Sequence, residues 1–289
     1  MSTAVTYTEA LKDIKDFYDE SSVTAYVPTL KRTLKFKPLS VNQMKKFIEI
    51  QVRAAKDDIG ILTSLETVDQ LNELLVGNCV DKDASNLLQK LTIIDRDSIM
   101  AQLRVDNNPI VEIHTDENDV KKTEQVSIDH IPESIKSQKI TEDIKGKDVV
   151  LKFKSGKIKL KLKLPTLDHD MNINAYFKSQ VSPYIRKGTE KVQKNLDKIL
   201  SQTYFIELCK YIEKLEVEKG DNVTVLAFDD PQTLTEQLSF LEELPSSLVS
   251  EINKFVRNVK DFKDSILYYV DSNGEQQPLV VDVNLFTTI

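Results

Sequence analysis

Apolar positions along this chain alternate between helical spacing and strict period-2 spacing, and the switches between the two mark its elements. Over residues 8–20, Leu11, Ile14, Phe17 and Tyr18 fall on one side of a short amphipathic helix, which either docks on a partner or folds back on its own core. The following SSVTAYVPTL is turn-rich and reads as a flexible tether. In LKRTLKFKP, Leu34 and Phe36 alternate with basic residues, a strand that Pro38 stops. Ser40 and Gln43 form a capping-box pattern ahead of Val41, Met44, Ile48, Val52 and Ala55. A second such pattern, Thr67 and Gln70, opens a helix carrying Leu71, Leu74, Leu75 and Cys79, and Ala84, Leu87, Leu88 and Leu91 follow on another. These helices are expected to pack as a small bundle against the strand.

Leu91–Asp119 reads as a capped helix running into a β-hairpin. Asp95 is placed to cap, Ile94 and Ile99 to staple, Ile99, Met100 and Leu103 to form the apolar face, and Arg104 to meet the helix dipole. Asn107-Asn108-Pro109 ends the helix. Val111 and Ile113 then alternate with Glu112 and His114, and Val126 and Ile128 with Ser127 and Asp129, about a polar tip. KGKDVVLKFKSGKIKLKLK (145–163) is a second hairpin, turning at Ser155-Gly156, with one apolar and one lysine face. A long helical stripe follows in Val192, Leu196, Ile199, Leu200, Phe205, Leu208, Cys209, Ile212 and Leu215. Val223–Phe228 is a short apolar run. Asp230-Pro231 opens a helix with Leu234, Leu238 and Leu241, and Pro245 precedes another with Val249, Ile252, Phe255, Val256 and Val259. The chain closes on a hairpin turning at Asn273-Gly274, an echo of the first.

Together these predict an α+β chain: two helical regions with β-hairpins inserted after the first and at the C-terminus. The regions are 1–27, an N-terminal helix and tether; 28–105, a helical domain with a short strand; 106–167, the hairpin region; and 168–289, a helical region ending in a hairpin.

Composition narrows the chemistry. A net charge of −7 argues against general nucleic-acid binding, and 40% hydrophobic residues against wholesale disorder. All seven glycines are isolated, so no Gly-rich phosphate cradle exists. Cys79 and Cys209 have no metal-ligand spacing and read as reduced core thiols, in keeping with a reducing cytosol. MSTAVTYTEALKDIK has no apolar signal core, and no run approaches a membrane span. His114 and His130 point apart by alternation, and Asp168–His169–Asp170 reads as an exposed turn. No catalytic residue, metal site or cofactor is expected, and the chain is expected not to be an enzyme. The compositional anomaly is 145–163, with eight lysines against one aspartate. Its lysine ridge would be solvated edge protection, a contact for an acidic protein, or a nucleic-acid contact. The candidate contact residues are Lys152, Lys154, Lys157, Lys159, Lys161 and Lys163.

The order of motifs resembles a tail-baseplate protein family of T4-like contractile-tailed bacteriophages, which includes the baseplate hub subunit and the related hub assembly catalyst. The resembling residues are the strand Leu34–Lys37, the step Pro38-Leu39-Ser40-Val41 with its helix, Asn78-Cys79-Val80, and the helix from Asp95 to Leu103-Arg104. Leu160–Pro165-Thr166, the helices about Phe240–Pro245 and Ile252–Phe262, and the terminal Ile266–Phe286 complete the series. It spans nearly everything after residue 27. Relatives often carry Cys-x-x-Cys pairs in their hairpins, and the tips here have none. The resemblance implies a structural or assembly protein of the baseplate hub, a late protein acting by protein–protein contact in tail assembly. Its partners would be other tail proteins, with no small-molecule substrate and no membrane. It would reside in the virion tail baseplate, or in the host cytoplasm during assembly. The alternative is a nucleic-acid-associated protein using the 145–163 hairpin.

Overall fold

The computed structural model describes residues 7–54, 60–81, 86–117, 120–185, 203–228, 233–282 and 284–287. The fold is α+β, and the chain divides into two compact units. The first comprises Met1–Leu87, Ile94–Gln138 and Ile266–Ile289; the second comprises Leu88–Ile93 and Lys139–Ser265.

The first unit holds α1 (Tyr7–Glu20), β1 (Val23–Val27), β2 (Arg32–Phe36), α2 (Val41–Ala54), α3 (Gly60–Asn78), α5 (Ile93–Asn107, from Ile94 on), the hairpin β3 (Ile110–Glu117) and β4 (Val120–Ser127), and α6 (Ile131–Ser137). The terminal hairpin β9 (Tyr268–Val270) and β10 (Gln276–Pro278) and α11 (Asn284–Thr287) complete it. α4 (Leu87–Lys90) lies at the join in sequence.

The tether expected at SSVTAYVPTL is instead β1, antiparallel to β2 with Val23 opposite Phe36. Its period-2 pattern decides this: Ala25 and Val27 are fully buried, as are Leu34 and Phe36 of β2. The Ser40–Gln43 capping box forms as expected, Ser40 N–H donating to Gln43 Oε1 at 2.9 Å and Gln43 N–H to Ser40 Oγ at 3.2 Å. Thr67 does not open a helix. α3 starts at Gly60, and Thr67 lies buried within it. Asn78 closes the unit's first corner: its carbonyl accepts from Lys37 N–H at 2.7 Å and its amide oxygen from Gln43 Nε2 at 2.6 Å. Val80 N–H then donates to Lys35 O at 2.9 Å, extending the β2 ladder by one strand-like step.

α5 is the axis of this unit, with every residue from Ile94 to Arg104 buried. Asp95 is not its cap, because the helix already starts at Ile93. Its carboxylate grips the β1–β2 turn, accepting from Thr29 N–H at 3.0 Å and from the Thr29 hydroxyl. Two turns on, Gln102 pairs with the edge of β1 as a strand would, exchanging 2.9 Å bonds with Tyr26 N–H and C=O. Phe47 of α2 stacks on Phe286 of α11 at 5.1 Å.

One buried group in α3 is poorly served. Asn72 is fully buried, and neither end of its amide has a hydrogen-bond partner among the described residues. Such groups carry a desolvation penalty of about 1–3 kcal/mol. Asn72→Leu is therefore expected to raise stability by about 1–2 kcal/mol, read as a higher urea midpoint at unchanged m-value. A lowered midpoint would mean that the amide is in use.

The second unit is built on a four-stranded antiparallel sheet ordered β5 (Gly146–Phe153), β6 (Gly156–Lys163), β7 (Ile212–Lys219), β8 (Asn222–Ala227). Around it come α7 (Glu142–Lys145), α8 (Leu167–Ile185), α9 (Leu234–Glu242) and α10 (Ser246–Ile266, up to Ser265). Val149, Leu160, Leu162, Ile212 and Leu215 bury the inner face, and Ile173, Phe177, Leu238, Ile252 and Phe255 from the helices fill the core.

The helical stripe expected to run to Leu215 stops early. Residues 203–209 are helical, but Ile212 and Leu215 belong to β7, and the positions from Val192 to Leu200 lie outside the described residues. The misreading has a physical source. Lys161 pairs with Lys214 but Leu162 with Ile212, so Glu213 is an extra residue in a β-bulge. The bulge turns Ile212 and Leu215, three apart, to the same face, and both are fully buried. Cys209 is buried and Cys79 only half-buried; both are free thiols. Burial pushes the Cys209 thiol up to about 12.

Candidate interaction surface

Alternation along the four strands sorts the outer face of this sheet. β5 contributes Asp148, Val150 and Lys152; β6 contributes Lys157, Lys159 and Lys161; β7 contributes Lys214, Glu216 and Glu218; β8 contributes Val223, Val225 and Ala227. The register sets Lys157 opposite Glu218 and Lys159 opposite Glu216, while Lys161 falls opposite Lys214.

The result is a ladder of ion pairs. Lys157 Nζ reaches Glu218 at 2.7 Å. Lys159 reaches Glu218 at 2.5 Å and Glu216 at 3.6 Å. Lys161 reaches the bulged Glu213 at 2.9 Å, and Lys214 pairs with Glu216 at 2.7 Å along its own strand. Hydrogen bonding to Glu218 raises Lys159, and bonding to Glu213 raises Lys161. Lys157 and then Lys159 hold Glu218 down, as Lys214 holds Glu216. Exposed pairs of this kind contribute little stability singly. They do neutralise the ridge: a phosphate backbone would have to displace carboxylates to reach Lys157, Lys159 or Lys161.

The six lysines thus part into two groups. Lys157, Lys159 and Lys161 lie in the ladder. Lys152 and Lys154 stand exposed at the β5–β6 turn, and Lys163 is half-buried where its N–H donates to Tyr211 O at 2.9 Å. Spacing carries the helical stripe on to Leu215, inside β7, and so hides the glutamates of the ladder. The period-2 run Glu216-Val217-Glu218 was the signal, acidic where the preceding hairpin is basic. Apolar positions flank the ladder: Val150, Val223 and Val225 are 46%, 59% and 56% exposed.

At the opposite end of β5, Lys147 reaches Glu251 of α10 at 2.9 Å, and Lys254 reaches the same carboxylate at 2.6 Å. The Lys147 and Lys254 hydrogen bonds lower Glu251 from 4.5 to about 2. A carboxylate depressed by folding adds stability above its unfolded value and loses it as pH falls through the folded one. The melting-temperature gap between the wild type and Glu251→Gln is expected to be full at neutral pH, to shrink below about pH 4.5 and to close near pH 2. A gap independent of pH would sink this assignment.

Asp168–His169–Asp170 is not an exposed turn. It forms the first turn of α8, with His169 and Asp170 buried. Asp170 accepts from Lys210 at 2.9 Å, and Lys210 also reaches Glu207 at 2.8 Å. Burial works against the Lys210 ammonium, but Asp170 and Glu207 outweigh it and raise the group overall. This is a packed ionic clasp between α8 and the segment entering β7. His114 is exposed and bonds Thr123 Oγ1 at 2.9 Å, while His130 packs on Tyr268 and bonds its carbonyl at 3.1 Å.

Comparison with known protein families, curated proteins and solved structures returns no match.

Proposed function

We propose that this chain is a structural or assembly protein of a phage tail baseplate, acting at the hub through protein–protein contacts. The observation that carries the reading is the ordered series of resembling motifs from Leu34–Lys37 to Ile266–Phe286. Two of these motifs hold architectural positions in this chain, which accords with a protein whose work is shape. Asn78-Cys79-Val80 extends the β2 ladder, and the Asp95–Arg104 helix is the axis of the first unit. The surface that would meet neighbouring tail proteins is the outer face of β5–β8, where a neutralised ionic ladder lies between exposed valines. Such a face sets orientation by its charge pattern more than it adds affinity. Lys152 and Lys154, outside the ladder, are the lysines placed to meet an acidic neighbour.

Mass spectrometry of purified phage particles, and of tail intermediates from infected cells, tests this. Peptides of the chain are expected in one or both. Presence only in intermediates makes it a transient assembly factor, presence in particles a retained hub component, and absence from both overturns the reading.

A further inference from the structure

The sheet of the second unit ends on two unlike edges. β5 carries Lys147, Asp148 and Lys152, the kind of charge that guards an edge against pairing. β8 reads Asn-Val-Thr-Val-Leu-Ala, six residues with no charge, no proline and no register shift against β7. It is the last strand of the sheet among the described residues, and Val223 and Val225 are more than half exposed. Phe228 N–H donates to Glu213 O at 3.0 Å, which sets the phase of the ladder. By alternation Asn222, Thr224 and Leu226 direct their backbone groups to β7, and Val223 and Val225 direct theirs to the open edge.

We propose that this edge is an interface between two copies of the chain, formed by antiparallel pairing of β8 with β8 of a second copy about a two-fold axis at Thr224. Val-Thr-Val reads the same in both directions. With Thr224 on the axis, Val223 lies opposite the partner's Val225, and Val225 opposite the partner's Val223. The outward-directed backbone groups then exchange four N–H···O=C bonds, and all four valines share the outer face. Thr224 meets the partner's Thr224 as a non-hydrogen-bonded pair, whose Cα atoms lie about 4.5 Å apart in such ladders.

Sequence symmetry and charge favour a second copy over a foreign strand. The two-fold pairing sets positions equally far before and after Thr224 opposite one another, so like charges at such positions would repel, and Val-Thr-Val about the axis places only matched valines there. β8 is neutral, Asp221 falls opposite the partner's Ala227, and the β7 carboxylates behind it are already held by lysines. One strand pair is smaller than a standard interface of about 1,600 Å², so the dimer is weak. The inference is independent of the baseplate reading, and either stands without the other.

Sedimentation of the full chain from about 1 to about 300 μM tests it, a range that brackets a weak dimer. The wild type is expected to shift from monomer to dimer across it. Val225→Lys, which sets an ammonium beside Glu216, is expected to keep its circular dichroism and stay monomeric at the highest concentration. Thr224→Cys under mild oxidation is expected to give a covalent dimer at least about tenfold faster than Val223→Cys, because only the axial pair has disulfide spacing. A wild type monomeric throughout, a Val225→Lys chain that dimerises like the wild type, or equal cross-linking of the two cysteine variants would each overturn the proposal. So would an extended peptide binding β8 of a chain that stays monomeric.

Discussion

Replacing Arg104 by methionine is expected to destabilise the first unit by about 3–5 kcal/mol, the size associated with breaking a buried, multiply bonded charge. Arg104 is 2% exposed at the end of α5, and its guanidinium is shared among three separate pieces of backbone. Nε donates to Leu285 O at 2.6 Å, Nη2 to Ile110 O at 2.8 Å, and Nη1 to Asn108 O. Those carbonyls belong to α11, the first residue of β3 and the break after α5. One side chain therefore closes the helix and fixes both the exit of the chain and its terminal segment. Burial lowers the guanidinium from its ordinary value, yet it stays charged at any working pH. Methionine fills much of the same volume but donates nothing, leaving three acceptors without their donor at about 1–3 kcal/mol each, less the desolvation the charge no longer suffers. Arg104→Lys keeps the charge without the planar fork, and should recover less than half of the loss. Urea unfolding measures the total, and amide exchange over 279–287 should accelerate first. A loss below about 1 kcal/mol would show that the three contacts are not coupled.

Arg104 also marks how far the sequence could be read. Its position in the last turn and the Asn-Pro stop after it were plain from local chemistry, and Ile128 N–H closes that break on Pro109 O at 2.8 Å. The three carbonyls were not, because Leu285 is 181 positions away and nothing in local spacing points to it. Asp95 teaches the same lesson: an acidic residue near a helix start looks like a cap, but its partner is Thr29, sixty-six residues upstream. Periodicity worked wherever one rhythm held without interruption, as in α10, β2 and the 145–163 hairpin. It failed at β7, where a single bulged residue converted a strand's spacing into a helix's. The candidate lysines were legible as a ridge, and their glutamate partners were hidden by that same failure. Exposure was legible for neither β1 nor Asp168–His169–Asp170, since polar letters in a turn-like order say nothing of what packs over them.

Gly156 carries the second large effect. It is the first residue of β6, directly after a two-residue Lys154-Ser155 turn, so it belongs to the strand and not to the turn assigned to Ser155-Gly156. Its need for glycine is spatial. A Cβ there would lie 1.9 Å from Glu218 O and 3.0 Å from Glu218 C, and backbone atoms in a ladder have no rotamer to escape through. β6 and β7 would have to separate by more than an ångström where Lys157 and Lys159 reach Glu218. Gly156→Ala is expected to lower stability by about 3 kcal/mol, the upper range for overpacking in a tight interior, and Gly156→Val by more. Gly77 provides the contrast. It sits near the end of α3 with nothing among the described residues within 4 Å of a Cβ, so Gly77→Ala should be stabilising by about 0.5 kcal/mol through helix propensity alone. Thermal melts of the three variants decide the matter, and a Gly156→Ala chain as stable as the wild type would mean that β6 and β7 do not approach so closely. The close approach is also what brings the lysine and glutamate rows within bonding distance. The same substitution should therefore free Lys157 and Lys159 from Glu218, and the Glu218 carboxylate, followed by NMR titration, should return upward towards its ordinary range.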